Sequence, residues 1–459
     1  MHDVGPDQLF FSTTDRLGVI TAANTVFVQL SRFDYRQLMG APHNIIRHPD
    51  MPGGAFKLMW DTLEADEPFC AYVDNLAADG STYSVLATIT PLGRNRYLSV
   101  RCRPQCVDLR HAAINIYRST RPLELYARST GTSSREAAAL GLTRLAQLLN
   151  EAGFATYEDF MNLVLPSEVA IRLATPPPSR PFATGPVADL LVATNALSRA
   201  IDDWLGHQSG LANVAQHLQA SIPQLRQSMD QALQTGRRLA ETRSGTFDPL
   251  MIWLNLWAQM IASVDSVLTQ LGQSLEALRK SCLRTVFRLS LTTLHTQTVA
   301  QFAVELIDRV TVPGYDDDAR MAAIDALGQA LAEGFSTTEE RVTGNAVMAA
   351  DTVAHVRFAH DLMEVPRQVM ARWHNTAATG LSDAAGVLPQ VIEQVRRTDE
   401  SMALLDELSR QISSIARATP TTQVDLTLRE VLRRMANLLD DPSPTWLDID
   451  ATRRLRVPY

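Results

Sequence analysis

The chain has 459 residues, of which 46% are hydrophobic and 20% are charged, and its net charge is -8 at pH 7. This length predicts about two to four structural units, and the composition excludes a mainly disordered or collagen-like chain. The acidic balance argues against nucleic acid and against an anionic membrane surface as partners.

Residues 8–104 predict a small domain of two strands, several short helices and three further strands. The strands are predicted over 9–13, 19–21, 69–75, 82–90 and 97–103, because apolar and β-branched residues there alternate between turn signals. Asn24 and Asp34 precede short apolar segments as helix caps, and a longer helix is predicted over 55–65. The unit is therefore expected to be a mixed α+β domain.

One unusual segment carries a family resemblance, and it has the sequence Pro42-His43-Asn44-Ile45-Ile46-Arg47-His48-Pro49-Asp50-Met51-Pro52. With Ser12-Thr13-Thr14-Asp15 before it and Ala55-Phe56 and Met59-Trp60 after it, this segment resembles the FAD-binding PAS domain of the aerotaxis receptor family. The resemblance covers residues 8–104 and implies a five-stranded antiparallel sheet with short helices. It also implies an FAD site lined or supported by Arg47, His48, Asp50, Phe56, Trp60 and Asn75.

The residue types are chemically consistent with a flavin. Arg47 suits a bidentate, charge-assisted contact with a pyrophosphate, and Asp50 is expected either to cap backbone amides at a helix start or to orient His48. Phe56 and Trp60 would form the flat apolar slot that an isoalloxazine ring needs.

Asn75 would supply amide donors and acceptors for the pyrimidine edge of the flavin. The chain departs from the family pattern at Phe69 and over 74–84, where the family has tryptophan and basic residues. Haem is the rival cofactor, with His43 or His48 as axial ligand. A cofactor-free PAS scaffold or dimerisation protein is a further alternative.

Helical patterns follow the first unit. Helices are predicted over 122–128, 135–152 and 157–173, and consecutive prolines at 176–178 predict an extended linker. The predicted organisation is a PAS sensor domain over 1–106, a helical connector over 107–174, a Pro-rich linker over 175–186, a long antiparallel helical hairpin over 187–309, further helices over 310–440 and a tail over 441–459.

Apolar residues recur in a heptad register from Leu190 to Leu239, with weak positions at Thr194, Gln208 and Gly236. A second register runs from Leu250 to Cys282 and shifts by one residue at Val286, which predicts a coiled-coil or bundle of long helices. Pro223 is expected to kink or split the first helix. After a short helix over 318–332, further interruptions are expected near Pro366 and Pro389.

The cluster Phe247, Leu250, Met251, Ile252, Trp253 and Trp257 is more apolar than one helix face requires, so it is expected to be a bundle core, a homodimer seam or a partner surface. The four cysteines lack paired Cys-x-x-Cys spacing, and the N-terminus has no secretion signal pattern, which together predict reduced thiols in the cytoplasm. The segment 250–271 is too polar to cross a bilayer, so no membrane insertion is expected.

The resemblance and the helical remainder predict a cytoplasmic, non-enzymatic signal-transduction protein. Its PAS domain would sense redox state or oxygen through bound FAD, and its helices would relay the change to an unknown protein partner. We expect a homodimer formed through the PAS domain and the coiled coil. An unrecognised flavoenzyme is the third alternative, although no catalytic motif for a substrate is apparent in the sequence.

Overall fold

The computed structural model describes residues 2–93, 95–241, 249–380, 388–417 and 421–439. Over these residues the chain divides into two compact units. Unit 1 contains the described residues of Met1–Leu205, Val286–Glu339 and Pro420–Tyr459, and unit 2 contains those of Gly206–Thr285 and Glu340–Thr419.

The first part of unit 1 is a five-stranded antiparallel sheet with the strand order β2-β1-β5-β4-β3. Its strands are β1 (Leu9–Asp15), β2 (Ile20–Ala23), β3 (Phe69–Leu76), β4 (Thr82–Leu92) and β5 (Arg96–Cys102). The predicted fold class, an α+β domain with this sheet followed by long helices, is confirmed.

Short helices separate β2 from β3. They are α1 (Thr25–Ser31), α2 (Tyr35–Leu38), a 3₁₀ turn (His43–Ile46) and α3 (Gly53–Glu64). Asn24 caps α1 by accepting a hydrogen bond from the Phe27 amide, and Asp34 forms a capping box with Gln37, as the sequence predicts.

The strand register separates two faces of the sheet, because directly opposed residues lie on the same face. Phe10 lies opposite Arg101, and this inner face is the one on which α1 packs, since Phe10 stacks on Phe27. Phe11 lies opposite Val100 on the outer face.

Three connector helices follow β5, namely α4 (Val107–Ser129), α5 (Ser134–Glu151) and α6 (Tyr157–Leu173). Capping boxes begin α5 at Ser133 and α6 at Thr156, as expected. The prediction that the first of these helices begins at Pro122 is wrong, because α4 begins fifteen residues earlier and contains Pro122 in its interior. Its buried face compensates for the hydrogen bond that proline cannot make.

The remaining helices are α7 (Pro186–Glu241), α8 (Pro249–Ile307), α9 (Asp317–Gly380), α10 (Leu388–Arg417) and α11 (Thr421–Leu438). A split at Pro223 and the expected interruption near Pro366 are wrong, since α7 and α9 continue through these residues. The alternative outcome at Pro223, a kink, stays a prediction. The predicted short helix over 318–332 is likewise the first part of α9. Phe247 and the side chains of the apolar cluster over 250–257 lie outside the described residues.

Within unit 1, the end of α8 and the start of α9 cover the outer face of the sheet. Phe302 packs edge-on against Phe11 with ring centroids 5.8 Å apart. The buried His295 ring lies 3.3 Å from the Thr90 hydroxyl, and the Glu333 carboxylate accepts a hydrogen bond from the Gly93 amide. The sheet is therefore buried by residues about two hundred positions away in sequence.

Unit 2 has one apolar core to which α7, α8, α9 and α10 all contribute. The predicted heptad residues Leu211, Leu218, Leu225, Leu268, Leu275 and Cys282 are buried in it. The weak position Gln208 is also buried, and its side-chain oxygen accepts a 2.7 Å hydrogen bond from Asn345, which also donates to Thr285. A polar residue at this heptad position is therefore explained by a partner on another helix.

Candidate functional site

The segment over 42–52 crosses the inner side of the sheet from β2 towards β3. Its first residue, Pro42, forms an isolated bridge with Val19, and Arg47 forms another with Asn75 on β3. The His43–Ile46 turn lies between these two anchor points. The backbone of the segment is thus fixed at Pro42, beside the start of β2, and at Arg47, beside β3.

Arg47, Phe56 and Asn75 are brought together by this geometry. The Arg47 guanidinium lies 4.0 Å from the centroid of the Phe56 ring, at cation–π distance, and donates to the Met51 carbonyl. Burial and the neighbouring Arg121 charge lower the pKa of Arg47, and Glu124 opposes this shift.

Asn75 is 3% exposed, and its side-chain nitrogen has no hydrogen-bond partner among the described residues. Directly opposite on β4 lies Tyr83, whose hydroxyl is also buried without a partner in the described part of the chain. Burial raises the pKa of Tyr83, so its hydroxyl keeps its proton and can donate. Buried polar groups are normally satisfied, so these two groups on one face of the sheet are available to bind a polar partner.

His48 and Asp50 lie at the edge of this group. The Asp50 side chain is 88% exposed, its carboxylate is 3.8 Å from the His48 ring, and its amide donates to His48 Nδ1. Asp50 does not cap α3, because Pro52 is the N-cap residue and the first α3 amides bind Glu124. Of the two roles expected for Asp50, contact with His48 is the one observed.

Trp60 lies one helical turn beyond Phe56 on α3 and is half-buried. Its ring contacts Tyr97 edge-on, with centroids 5.7 Å apart, and it passes close to Gly18, where an added Cβ would lie 3.3 Å away. Trp60 therefore packs against β5 and the β1–β2 turn rather than against Arg47.

Sequence reasoning missed Arg101, which is 3% exposed on the inner face of β5. Its guanidinium lies over the rings of Phe27 and Phe10, with centroid distances of 5.2 and 5.8 Å, and donates to the Ser12 hydroxyl. Among the described residues no carboxylate pairs with it. The signal in the sequence is an arginine at an inward position of the strand Arg96–Cys102.

His43 is the other neighbour of Arg101, and the guanidinium donates to His43 Nε2. Burial and the Arg101 charge lower the pKa of His43 well below its usual value, so the ring is neutral and accepts this hydrogen bond. Burial lowers the pKa of Arg101 to about 10, which leaves it positively charged at neutral pH. The inner face therefore carries a buried positive charge at Arg101.

Together these side chains form a polar interior between the sheet and the short helices. It offers an amide at Asn75, hydroxyls at Tyr83 and Ser99, and the Arg101 guanidinium, with aromatic rings beside them. Such a set suits a planar heterocycle with several hydrogen-bonding atoms and partial or full negative charge.

Comparison with known proteins agrees with this description of the N-terminal segment. Over 101 residues, which are 21% of this chain and 20% of the relative, the sequence is 44% identical to the aerotaxis receptor of Escherichia coli (strain K12). The chain thus spans about a fifth of the length of that relative. Together with the fold, this finding confirms a PAS segment that resembles the one in the aerotaxis receptor family.

Similar solved structures include a light-oxygen-voltage domain described with a flavin analogue, which is 23% identical, with a TM-score of 0.22, 24% of this chain covered and 85% of that one. The light state of the Aureochrome1 LOV photoreceptor is 18% identical, with a TM-score of 0.21, 23% of this chain covered and 88% of that one. No protein-family model matches the chain.

Among the described residues, no group of histidine, cysteine and carboxylate side chains has the arrangement of a metal site. The described helices include none with the length and apolarity that a membrane span requires.

Proposed function

We propose that this protein is a non-enzymatic, cytoplasmic PAS sensor that binds a flavin, FAD in the first instance, and responds to redox state or oxygen. The observation that carries the proposal is the pair of buried groups at Asn75 and Tyr83, which have no hydrogen-bond partner in the described part of the chain. They lie beside Arg47, in a segment 44% identical to an aerotaxis receptor. These groups fit the hydrogen-bonding edge of a flavin.

The residues have separate roles in the proposed site. Asn75 and Tyr83 bind the polar edge of the ring system, and Arg101 places a positive charge on the same inner face. Arg47 holds the phosphate groups, and Phe56 and Trp60 exclude water from one side. A bound flavin supplies the electron-transfer chemistry, and the protein groups respond to its change of charge.

The helices outside the PAS segment are the proposed output. A change on the inner face of the sheet alters the packing of the elements around it, and the long helices relay that change to a protein partner. His48 and Asp50, at the exposed edge of the segment, support the position of Arg47 through the local turn.

A homodimer is part of the proposal. On α9 of unit 2, Val347, Phe358 and Val365 are 59%, 57% and 49% exposed at spacings that place them along one side of the helix. These exposed apolar residues support contact between this face of α9 and a second copy of the chain. Light scattering of the wild type and of Phe358→Glu tests this, and an unchanged mass would contradict it.

The decisive experiment is an absorption spectrum of the purified full-length protein in air and after reduction, followed by release and chromatography of any bound chromophore. The expected result is a flavin spectrum and released FAD. Arg47→Ala should lower the bound fraction at least tenfold, because it removes the charge-assisted phosphate contact. Arg16→Ala, which removes an exposed arginine in the β1–β2 turn, is the control.

Each other outcome identifies an alternative. A haem spectrum would identify a haem protein, with His43 or His48 as the ligand to be tested. A colourless protein that takes up neither cofactor would indicate a cofactor-free scaffold. Turnover with an electron donor and a substrate would indicate a flavoenzyme and would overturn the non-enzymatic assignment.

A further inference from the structure

The start of α3 is held by a side chain from the connector rather than by a cap of its own. Glu124 of α4 is 1% exposed, and its two carboxylate oxygens each accept a 2.7 Å hydrogen bond, one from the Gly53 amide and one from the Gly54 amide. These are among the amides that a helix leaves unsatisfied at its N-terminus, where a negative charge also complements the helix dipole. A carboxylate seventy residues away thus completes α3.

Arg121, one turn before Glu124 on α4, contacts the residues that precede α3. Arg121 donates to Glu124 over 2.9 Å and, through its Nε, to the Pro49 carbonyl over 3.1 Å. Arg121 and Glu124, which we call the α4 clamp, therefore hold both sides of the short stretch that joins Arg47 to α3.

Close packing supports this contact. A Cβ atom on Gly54 would lie 2.4 Å from the Leu142 nitrogen of α5, and one on Gly141 would lie 1.9 Å from the Glu124 carboxylate. The helices α3 and α5 therefore touch through backbone, with the clamp carboxylate sealed between them. The connector cannot move away from α3 without exposing the clamp.

The clamp also acts on Arg47 through its charges. The Arg121 charge lowers the pKa of Arg47, and the Glu124 charge raises it. An anion bound to Arg47 would interact with both of these charges. They lie in a partly buried environment, where electrostatic interactions are strong. Binding of an anion at Arg47 and the positions of Arg121 and Glu124 thus depend on each other.

We propose that the α4 clamp couples occupancy of the cofactor site to docking of the connector helices α4 and α5. Ligand binding at Arg47 and docking of the connector stabilise each other, and by linkage each strengthens the other by the same factor. Arg121 and Glu124 are thus positioning residues of a site that extends beyond residues 8–104. For the ligand itself, the inference rests on the proposed function.

The chain offers a matched control for Glu124. Glu168 of α6 is equally buried and accepts hydrogen bonds from the Tyr72 hydroxyl and from the amides of Gln105 and Cys106. It fixes the junction between β5 and α4 without touching the segment over 47–54. Glu124→Gln and Glu168→Gln therefore remove equal charge at two different connector contacts.

The first measurement is hydrogen exchange in the full-length protein without added ligand. Glu124→Gln is expected to speed exchange at the Gly53 and Gly54 amides by roughly tenfold or more, because one oxygen acceptor becomes an amide donor. Glu168→Gln is expected to leave these two amides unchanged. Unchanged exchange in Glu124→Gln would overturn the clamp.

The second measurement is titration with FAD. Glu124→Gln is expected to weaken FAD binding by about 5- to 150-fold, and Glu168→Gln by less than twofold. FAD should also slow exchange over 121–142 in the wild type, and less in Glu124→Gln. If Glu124→Gln fails to fold, Arg121→Gln replaces it in the FAD titration, with the same expected weakening of FAD binding. Because Arg121→Gln leaves the α3 amides bound to Glu124, their exchange is expected to stay unchanged in that variant.

The two hypotheses fail in different ways. Wild-type protein that binds no FAD overturns the proposed function and, with it, the coupling. Wild-type protein that binds FAD, with a Glu124→Gln variant of equal affinity and faster exchange at Gly53, overturns the coupling alone. That result would make the clamp a purely structural contact.

Discussion

Gly54 provides the sharpest test of how the connector packs on the PAS segment. An alanine there would place its Cβ 2.4 Å from the Leu142 nitrogen and 2.5 Å from the Gly141 carbonyl carbon, both of which are backbone atoms of α5. A flexible side chain could rotate away, but a helix backbone cannot. Gly54→Ala therefore requires α5 to move by about 1 Å, the difference between this distance and an ordinary van der Waals contact.

The expected magnitude combines three effects. Alanine in place of glycine stabilises a helix by up to about 1 kcal/mol. Overpacking costs about 1–3 kcal/mol, and the 2.7 Å bond from Gly54 to Glu124, which is worth roughly 1.5–3 kcal/mol as a bond to a charged group, is lengthened. The net expectation is a loss of about 2–5 kcal/mol, or a Tm of this unit lowered by roughly 3–8 °C.

Gly53→Ala is the matched control, because it makes the same chemical change one residue earlier. Its Cβ would lie 3.2 Å from the Ala138 Cβ and 3.5 Å from a Glu124 oxygen, so a shift of a few tenths of an ångström relieves it. Thermal unfolding of both variants, followed by near-UV circular dichroism, measures the difference. A Gly54→Ala variant as stable as Gly53→Ala would refute the proposed packing of α3 on α5.

Three further predictions concern other buried polar groups. Glu305 of α8 accepts hydrogen bonds from Asn24 and Thr25, and burial raises its pKa from 4.5 to about 7. The native state then binds more protons than the unfolded state between about pH 4.5 and 7. The free energy of unfolding should therefore fall by ~3 kcal/mol as pH rises through this window. Glu305→Gln should not show this fall. Unfolding free energies against pH measure it, and parallel curves for the two proteins would contradict the assignment. Arg101→Met should weaken FAD binding at least tenfold, because it removes the buried positive charge from the inner face of the sheet. Titration with FAD measures this, and an unchanged affinity would refute the role given to Arg101. Asn345→Ala should destabilise the protein by about 2–5 kcal/mol, because it leaves Gln208 and Thr285 buried without their shared partner. Urea unfolding measures this, and a variant that unfolds at the same urea concentration as the wild type would show that the network contributes little.

Local patterns in the sequence predicted local structure well. The capping boxes at Ser133 and Thr156 and the cap at Asn24 are confirmed, since each depends on residues three positions apart. The heptad register also identified buried residues such as Leu218 and Leu275, because helical periodicity directly reports which face is apolar.

The errors arose where distant contacts override local preference. Pro122, Pro223 and Pro366 lie inside helices because packing of the remaining residues outweighs one missing hydrogen bond. No pattern around Pro122 reports that packing, so the sequence alone predicted a helix boundary there. The domain boundaries that were inferred from these signals stay predictions.

The candidate site shows the same limit. The resemblance named Arg47, Phe56 and Asn75, and these three lie together. Arg101 and Glu124 were missed, because their partners are 58 and 70 residues away and no spacing rule connects them. The roles of the named residues in binding a cofactor stay predictions until the spectrum is measured.

The covering of the sheet by α8 has a consequence for biosynthesis. Phe11 and the outer face of the sheet stay uncovered until Phe302 and His295 have been synthesised. These two residues leave the ribosome about 190 residues after β5 is complete. At 5–20 residues per second this interval is on the order of 10–40 s. During that time the nascent PAS segment exposes an apolar sheet surface to solvent, so chaperone binding to ribosome-bound chains should be strongest while the helical half is still being translated.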